Sequence, residues 1–310
     1  MARKAATKVS GATIAELARK ASGLDKRGNK RLQLITNRIL TDLFKAMQEL
    51  EVTPDEAWGA VSYFSKLGPE AGLLTPGLGI EHFLDLLQDA ADARAGLSGG
   101  TPRTIEGPLY ISGAPLSDGY ARLDDGTDKG EVMLVSGRVS DTDGQALPGA
   151  IVDVWHANTM GMYSHFDPSQ SNFNLRRRIR TDAGGRYSFR TIVPSGYGCP
   201  PGGPTETFLK HLGRHAKRPA HVHFFVSAKG HRHLTTQFNL AGDRLTYDDF
   251  AFATRDELVV QVKKVKDRAR IAELSLDGPF NEAKFDFELQ PNKKGAPDTI
   301  VHRDRVSAAP

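Results

Sequence analysis

Cysteine is almost missing from this chain: Cys199 stands alone in 310 residues. An internal disulfide is therefore excluded, and a reducing, cytoplasmic setting is expected. Long apolar runs are missing too, and none approaches the roughly 20 residues of a membrane span. The opening MARKAATKVSGATIAELARK is basic but has no continuous apolar segment behind it, so secretion is not expected. There is no internal repeat and no phosphate-binding loop, and Gly77-Leu78-Gly79 is too short for a dinucleotide fingerprint. Nor is there a large surplus of one charge: 41 Lys and Arg against 37 Asp and Glu leave +4. That surplus is local. Residues 1–31 hold nine basic and two acidic residues, so the other 279 sum to −3. The arm has no interleaved aromatics and no zinc-finger or RNP-type signature follows it, so a nucleic-acid partner is not expected. It reads as a solvated, flexible tail over residues 1–30.

What is present is an ordinary globular composition, 39% hydrophobic and 25% charged, in a chain long enough for two domains. The first hundred residues read as helix. Ile35, Ile39, Leu40, Leu43, Phe44, Met47 and Leu50 recur at three- and four-residue steps and make one apolar stripe. Thr53-Pro54-Asp55-Glu56 is a helix start, and Ile80, Phe83, Leu84 and Leu87 mark another helix closed by GLSGGTP at 96–102. Beyond about residue 105 the texture changes to short β-branched or aromatic segments such as EVMLVSGRV, AIVDVWHA and AHVHFFVSA, separated by turn residues. With no helical crossovers between them, these strands should be antiparallel and layered as a sandwich. The expected class is α+β: a helical domain over 1–105, whose apolar stripe suggests dimerisation, then an antiparallel β-sandwich domain over 106–310.

Four of the ten histidines fall within thirteen positions of RPAHVHFFVSAKGHRHLTTQ, as His221/His223 and His231/His233. Residues two apart on a strand share a face, so His221 and His223 are neighbours while Val222 and Phe224 point the other way. Two imidazoles among apolar residues are costly unless something uses their lone pairs, so the pair reads either as a metal site or as hydrogen-bonded packing. His231 and His233 follow a Lys229-Gly230 turn and read as solvated or capping residues. His156 reads as core packing or as a donor behind the site. Two histidines do not complete a metal site. An iron(II) set would add a carboxylate, with Asp243, Asp248 and Asp249 as candidates, although their segment looks like a polar loop. The other anions nearby are Tyr163 and Tyr197, each in a glycine-bearing loop, and taken singly each reads as a packed tyrosine.

Taken together, VDVWHANTMGMYSHFDPSQSNFNLRRRIRTDAGGRYSFRTIVPSGYGCPPGGP and LGRHAKRPAHVHFFVSAKGHRHLTTQ, with LYISGAP and DDFAFATRDEL, resemble the intradiol ring-cleaving dioxygenases, and within them the catechol-cleaving branch. The likeness runs from about residue 30 to 290. It implies a non-haem ferric ion held by Tyr163, Tyr197, His221 and His223 with a hydroxide, leaving the second histidine pair uninvolved. Such a set suits a trivalent ion: two phenolates and one hydroxide balance three positive charges in a closed pocket. The resemblance implies cleavage of catechol with O2 to cis,cis-muconate in aromatic catabolism. Tyr197 would leave the metal and accept a substrate proton, and Arg218 and Gln237 would stabilise developing negative charge. If a hairpin centres near Lys229-Gly230, Gln237 lies opposite His223, whereas Arg218 has the wrong parity for that face and needs a bend at Pro219.

The resemblance also implies an apolar ring pocket of Leu73, Pro76, Ile105, Pro108, Leu109, Phe250 and Ala251. The small Ala251, with no extra charged group in that set, points to plain catechol ahead of chlorocatechols or hydroxyquinol. A homodimer through the N-terminal helices, with phospholipid at its interface, is implied as well. His165 departs from the family pattern, which has an aromatic residue there, and Lys229 stands where proline is common. A non-catalytic β-sandwich binding module is the remote alternative, suggested by the strand-turn-strand texture of GRVSDTDGQALPGAIVDVW.

Overall fold

The computed structural model describes residues 8–302, in two compact units divided between Gly68 and Pro69. The ends of the chain, 1–7 and 303–310, lie outside the described residues, and with them part of the expected basic tail. The first unit holds α1 (Gly11–Ala21), α2 (Lys30–Glu49) and α3 (Pro54–Leu67). Helix α1 lies inside the stretch expected to be a flexible tail: Ser10 caps it, its side chain accepting from Thr13 N at 3.1 Å, and Ile14 and Ala18 are buried. Asn29 caps α2 in the same way. Helix α3 begins with the expected capping box, in which Thr53 and Glu56 each accept from the other's backbone N–H.

The second unit opens with α4 (Ala71–Gly77) and α5 (Ile80–Arg94). Its strands are β1 (Leu116–Asp118), β2 (Tyr120–Arg122), β3 (Val132–Asp141), β4 (Ile151–Trp155), β5 (Arg176–Arg180), β6 (Arg186–Ile192) and β7 (Tyr197–Gly198). After α6 (Pro204–His211) come β8 (Lys217–Arg218), β9 (His221–Ser227), β10 (Leu234–Leu240), β11 (Val259–Val260) and β12 (Lys263–Val265). Helix α7 (Arg268–Glu273), β13 (Phe280–Lys284) and β14 (Phe287–Leu289) complete it. Sequence texture changes near residue 105, but α4 and α5 already fold with the sandwich. Gly77 on α4 lies so close to the Phe250 ring that a Cβ there would meet Cε2 at 3.1 Å, and Glu70 accepts from Thr205 N at the start of α6.

Two sheets face each other. One runs β1-β5-β4-β9-β10-β11, the other β12-β13-β3-β6-β2 with β14 also on β3. The long ladders β3–β6, β4–β5, β4–β9 and β9–β10 are antiparallel, as expected. Short parallel ladders join them, such as β1 on β5 and β2 on β6, which the sequence texture did not suggest. Their cause is a corner: Gly119, at φ +68°, carries the chain from the first sheet to the second beside the β5-to-β6 connection, so both halves run parallel to their neighbours. Between the sheets lies one apolar core, with Val152, Val154, Val222, Phe224, Val226 and Phe238 from the first and Met133, Val135, Phe189 and Phe287 from the second. Alternation along β9 then leaves His221, His223 and Phe225 on the opposite face.

Candidate metal centre

That outer face of β4, β9 and β10 carries the site. Trp155, His223 and Gln237 are in register across three strands, and Asn239 is opposite His221. Gln237 therefore has the expected place. His221 and His223 are both buried, and their Nε2 atoms are 3.1 Å apart. His221 Nδ1 lies 2.7 Å from the Pro219 carbonyl, which only accepts, so the proton is on Nδ1 and the lone pair on Nε2. The Trp155 ring stacks on His223 at 5.0 Å and 6°, which fixes the plane of that imidazole. Burial, with Arg218 beside His221 and with His221 and Arg218 beside His223, pushes both histidines well below the usual histidine range. Both are neutral donors at physiological pH.

The two tyrosine loops meet above this face. Tyr163 is 2% exposed, and its ring stands edge-on to that of Tyr197 at 5.5 Å; Tyr197 in turn is 5.4 Å from the His221 ring. Gly161 makes the approach possible: it sits at φ +77°, and a Cβ would come within 2.8 Å of Tyr197 Cβ. Burial, reinforced by Tyr197, pushes the Tyr163 phenol well above its ordinary value, and among the described residues its Oη makes no well-formed hydrogen bond beyond its interaction with Tyr197. Among the described residues His223 Nδ1 is buried without a partner.

Arg218, on the wrong parity by sequence, is nonetheless 2% exposed and turned inward by pairing with Tyr197 on β7. Its guanidinium donates to Asp249 at 3.0–3.2 Å and to Gln237 Oε1 at 2.8 Å, and approaches His221 Nε2 at 3.0 Å. Asp249, weighed as a ligand from the sequence, is thus the partner of Arg218. Asp243 accepts from Ala220 N and Leu245 N, and Asp248 faces His215. Among the described residues no three His, Cys, Asp or Glu side chains are grouped to hold a metal, so the iron(II) carboxylate set has no support. His231 bonds the Lys229 carbonyl, His233 packs on Phe225, and His156 is a core residue bonded to Ala157 O and Thr191 Oγ1. His165, at φ +70°, turns its ring edge-on to Phe173.

The residues fit a hard, oxygen-favouring ion. If the site held none, a His223 Nε2–H could donate to His221. That arrangement would strip Nδ1 of His223 to a bare buried lone pair, and Arg218 already competes for the same acceptor. Nitrogens 3.1 Å apart suit two donors bound about 2.1 Å from one ion, and such an ion would also engage the orphaned Tyr163 oxygen.

The expected ring pocket is divided between two apolar clusters. Leu73, Ile105, Phe250 and Ala251 pack with Cys199, Leu209 and Ala216, while Leu109 packs with Trp155, Tyr163 and Tyr197. Pro76 is buried on α4, and Pro108 touches Gly72. Sequence reasoning missed Cys199 as a member of that cluster, Trp155 as the support of His223, and Asp249 as the anchor of Arg218. The first two could have been found: Trp155 closes DVW on the face opposite Val152 and Val154, and Cys199 is two residues beyond Tyr197.

Two family models match the chain, the dioxygenase model over 105–291 and the catechol dioxygenase N terminus over 29–96. The catechol 1,2-dioxygenase of Acinetobacter baylyi is 52% identical over 300 residues, 95% of this chain and 96% of its own. Catechol 1,2-dioxygenase 2 of Acinetobacter lwoffii is 59% identical over 78% of this chain and 88% of its own. The solved structure of catechol 1,2-dioxygenase from Pseudomonas arvilla C-1 superposes with a TM-score of 0.90 at 57% identity, covering 95% of this chain and 96% of that one. A hydroxyquinol 1,2-dioxygenase of Rhizobium and a chlorocatechol 1,2-dioxygenase of Pseudomonas putida are more distant, at 35% and 31% identity over 84% and 88% of this chain.

Proposed function

The chain belongs to the intradiol dioxygenase family, and on that premise we propose that it cleaves catechol with O2 between its two hydroxyl-bearing carbons, at a ferric ion held by Tyr163, Tyr197, His221 and His223. The observation that carries the reading is the convergence of two neutral imidazoles and two phenols in one buried site, with the Tyr163 and Tyr197 rings edge-on to each other and the two imidazole Nε2 atoms 3.1 Å apart. Bound iron would supply the acidity that ionises the phenols and activates a chelated diol toward O2. The protein's part is unequal between the tyrosines. Tyr163 is almost fully buried and holds its place, whereas Tyr197 is half-buried beside Arg218 and is the phenolate able to swing away and take a catechol proton on its Oη. Arg218, held by Asp249 and Gln237, keeps a fixed cation against the charge that builds on the ring. Leu73, Pro76, Ile105, Pro108, Leu109, Phe250 and Ala251 clamp the ring and exclude water.

Plain catechol is the preferred substrate in this reading, since the closely similar relatives carry that name and the apolar wall around the small Ala251 holds no charged side chain of its own. Oxygen uptake with ultraviolet detection of product, run on catechol, chlorocatechols and hydroxyquinol, tests it. A colourless muconate should form fastest from catechol; a yellow semialdehyde would signal cleavage outside the hydroxyls and overturn the reading. The ferric protein should be red-brown, and Tyr163→Phe should bleach or shift that colour. A colourless protein with stoichiometric iron would refute the ligand set.

Homodimerisation and a cytoplasmic location belong to the same proposal. In the first unit, Leu32, Ile35, Ile39 and Leu43 on α2 and Trp58, Val61 and Phe64 on α3 are exposed; in the second, Phe83, Leu84 and Leu87 on α5 are exposed. Such stripes need cover. A second copy supplies it, with phospholipid filling apolar gaps. Lipid extraction and mass spectrometry test the latter. No described helix is long and apolar enough to cross a membrane.

A further inference from the structure

Arg176 is 1% exposed, yet its hydrogen-bond partners among the described residues are all neutral. Nε donates to Ser164 Oγ at 2.9 Å, Nη2 donates to the carbonyls of Leu109 at 2.8 Å and Ser164 at 3.2 Å, and Nη1 has no partner. The other buried arginines differ: Arg218 is matched by Asp249 and Arg232 by Asp92. A buried cation without a bonded anion is expensive, and a fold keeps one only where something nearby compensates. Beneath Arg176 lies the ring of Tyr163, whose centroid is 5.6 Å from the guanidinium carbon. Asp153 and Tyr110 also act on Arg176, and the Asp153 carboxyl is already bonded to Tyr110 Oη at 2.8 Å.

We propose that Arg176 is a positioning residue whose fixed charge is the counterpart of the Tyr163 phenolate, setting how strongly that oxygen donates to the ion. The inference rests on Tyr163 being a ligand and extends that reading to a residue outside the ligand set. Two roles meet in one side chain. Its bonds to Ser164 and Leu109 tie the tyrosine loop to the wall of the ring pocket. Its charge lowers the energy of the phenolate electrons, so moving an electron from Tyr163 to iron takes more light energy than it otherwise would. Without the charge, the same phenolate would donate more strongly and hold iron more firmly in the ferric state.

The test uses the full-length ferric protein in four forms: parent, Arg176→Gln, Arg176→Lys and Ser164→Ala. Iron per chain, the position of the visible tyrosinate-to-iron band and the ferric/ferrous midpoint potential are measured in each. Arg176→Gln should absorb at longer wavelength and be reduced at lower potential. Arg176→Lys should recover at least half of both shifts. Ser164→Ala removes the acceptor of Nε but keeps the charge, and should leave both where they are in the parent. A parent-like band in iron-replete Arg176→Gln overturns the proposal, as does a Ser164→Ala shift equal to that of Arg176→Gln. If Arg176→Gln does not fold, Arg176→Met buries no polar head and carries the same two readings. Failure of the ligand assignment itself would appear in the parent, as an iron-loaded protein with no visible band.

Discussion

Arg218 and Asp249 are each nearly inaccessible, so neither can lose its partner cheaply. Replacing Arg218 with alanine leaves a buried carboxylate and removes the cation facing His221, and should cost about 3–5 kcal/mol of stability together with most of the activity. Urea unfolding beside turnover checks both; a stable, active variant would remove Arg218 from the site. His156 offers a cleaner pH test because it is buried but no candidate ligand. Burial, opposed by its bond to Ala157, pushes its pKa down to about 4 from the usual 6.5. The folded state therefore binds the proton less readily than the unfolded chain. Stability is fully present above about pH 6.5 and is lost as the pH falls toward 4. In iron-free protein, His156→Gln should lose about 2–3 kcal/mol less than the parent between pH 7 and 4.5, by urea unfolding at the two pH values.

Strand β9 decides where the site can be. Its apolar half, Val222, Phe224 and Val226, is drawn between the sheets, and that burial turns His221 and His223 outward. Phe224 touches Phe189, Phe238 and Phe287 at ring distances of 5.0–6.4 Å. Phe224→Ala should cost about 3–5 kcal/mol, seen as a lower urea midpoint, and should loosen iron binding because the imidazoles ride on the same strand. Unchanged stability would mean the core does not set their orientation. This much was legible: the His-x-His spacing and the turn at Lys229-Gly230 place His221, His223 and Gln237 correctly before any coordinates. The burial of Arg218 was not, because parity along β9 ends at Pro219 and its true partner, Tyr197, lies 21 residues earlier on a two-residue strand.

At the scale of the whole molecule, the helical stripes matter most. A regular apolar spacing on α2 was evident in the sequence, but whether it faces a core or solvent was not; in the structure Ile39 is 59% exposed and Leu43 48%. If a second copy covers this face, replacing both with glutamate should shift sedimentation to a monomer while the metal-site colour persists. A parent protein already monomeric at micromolar concentration would dismiss the homodimer.

By itself the sequence determined the local order: helices then strands, which histidines share a face, and the residue types that a hard ion would choose. These follow from periodicities of 3.6 and 2 and from donor chemistry, which are properties of neighbouring residues. Tertiary structure alone decided that Asp249 anchors Arg218, that Trp155 lies flat on His223, and that Arg176 is enclosed beside Tyr163. Those pairings join segments 13 to 68 residues apart, and only the folded path of the chain, with its low-dielectric interior, gives them their energy.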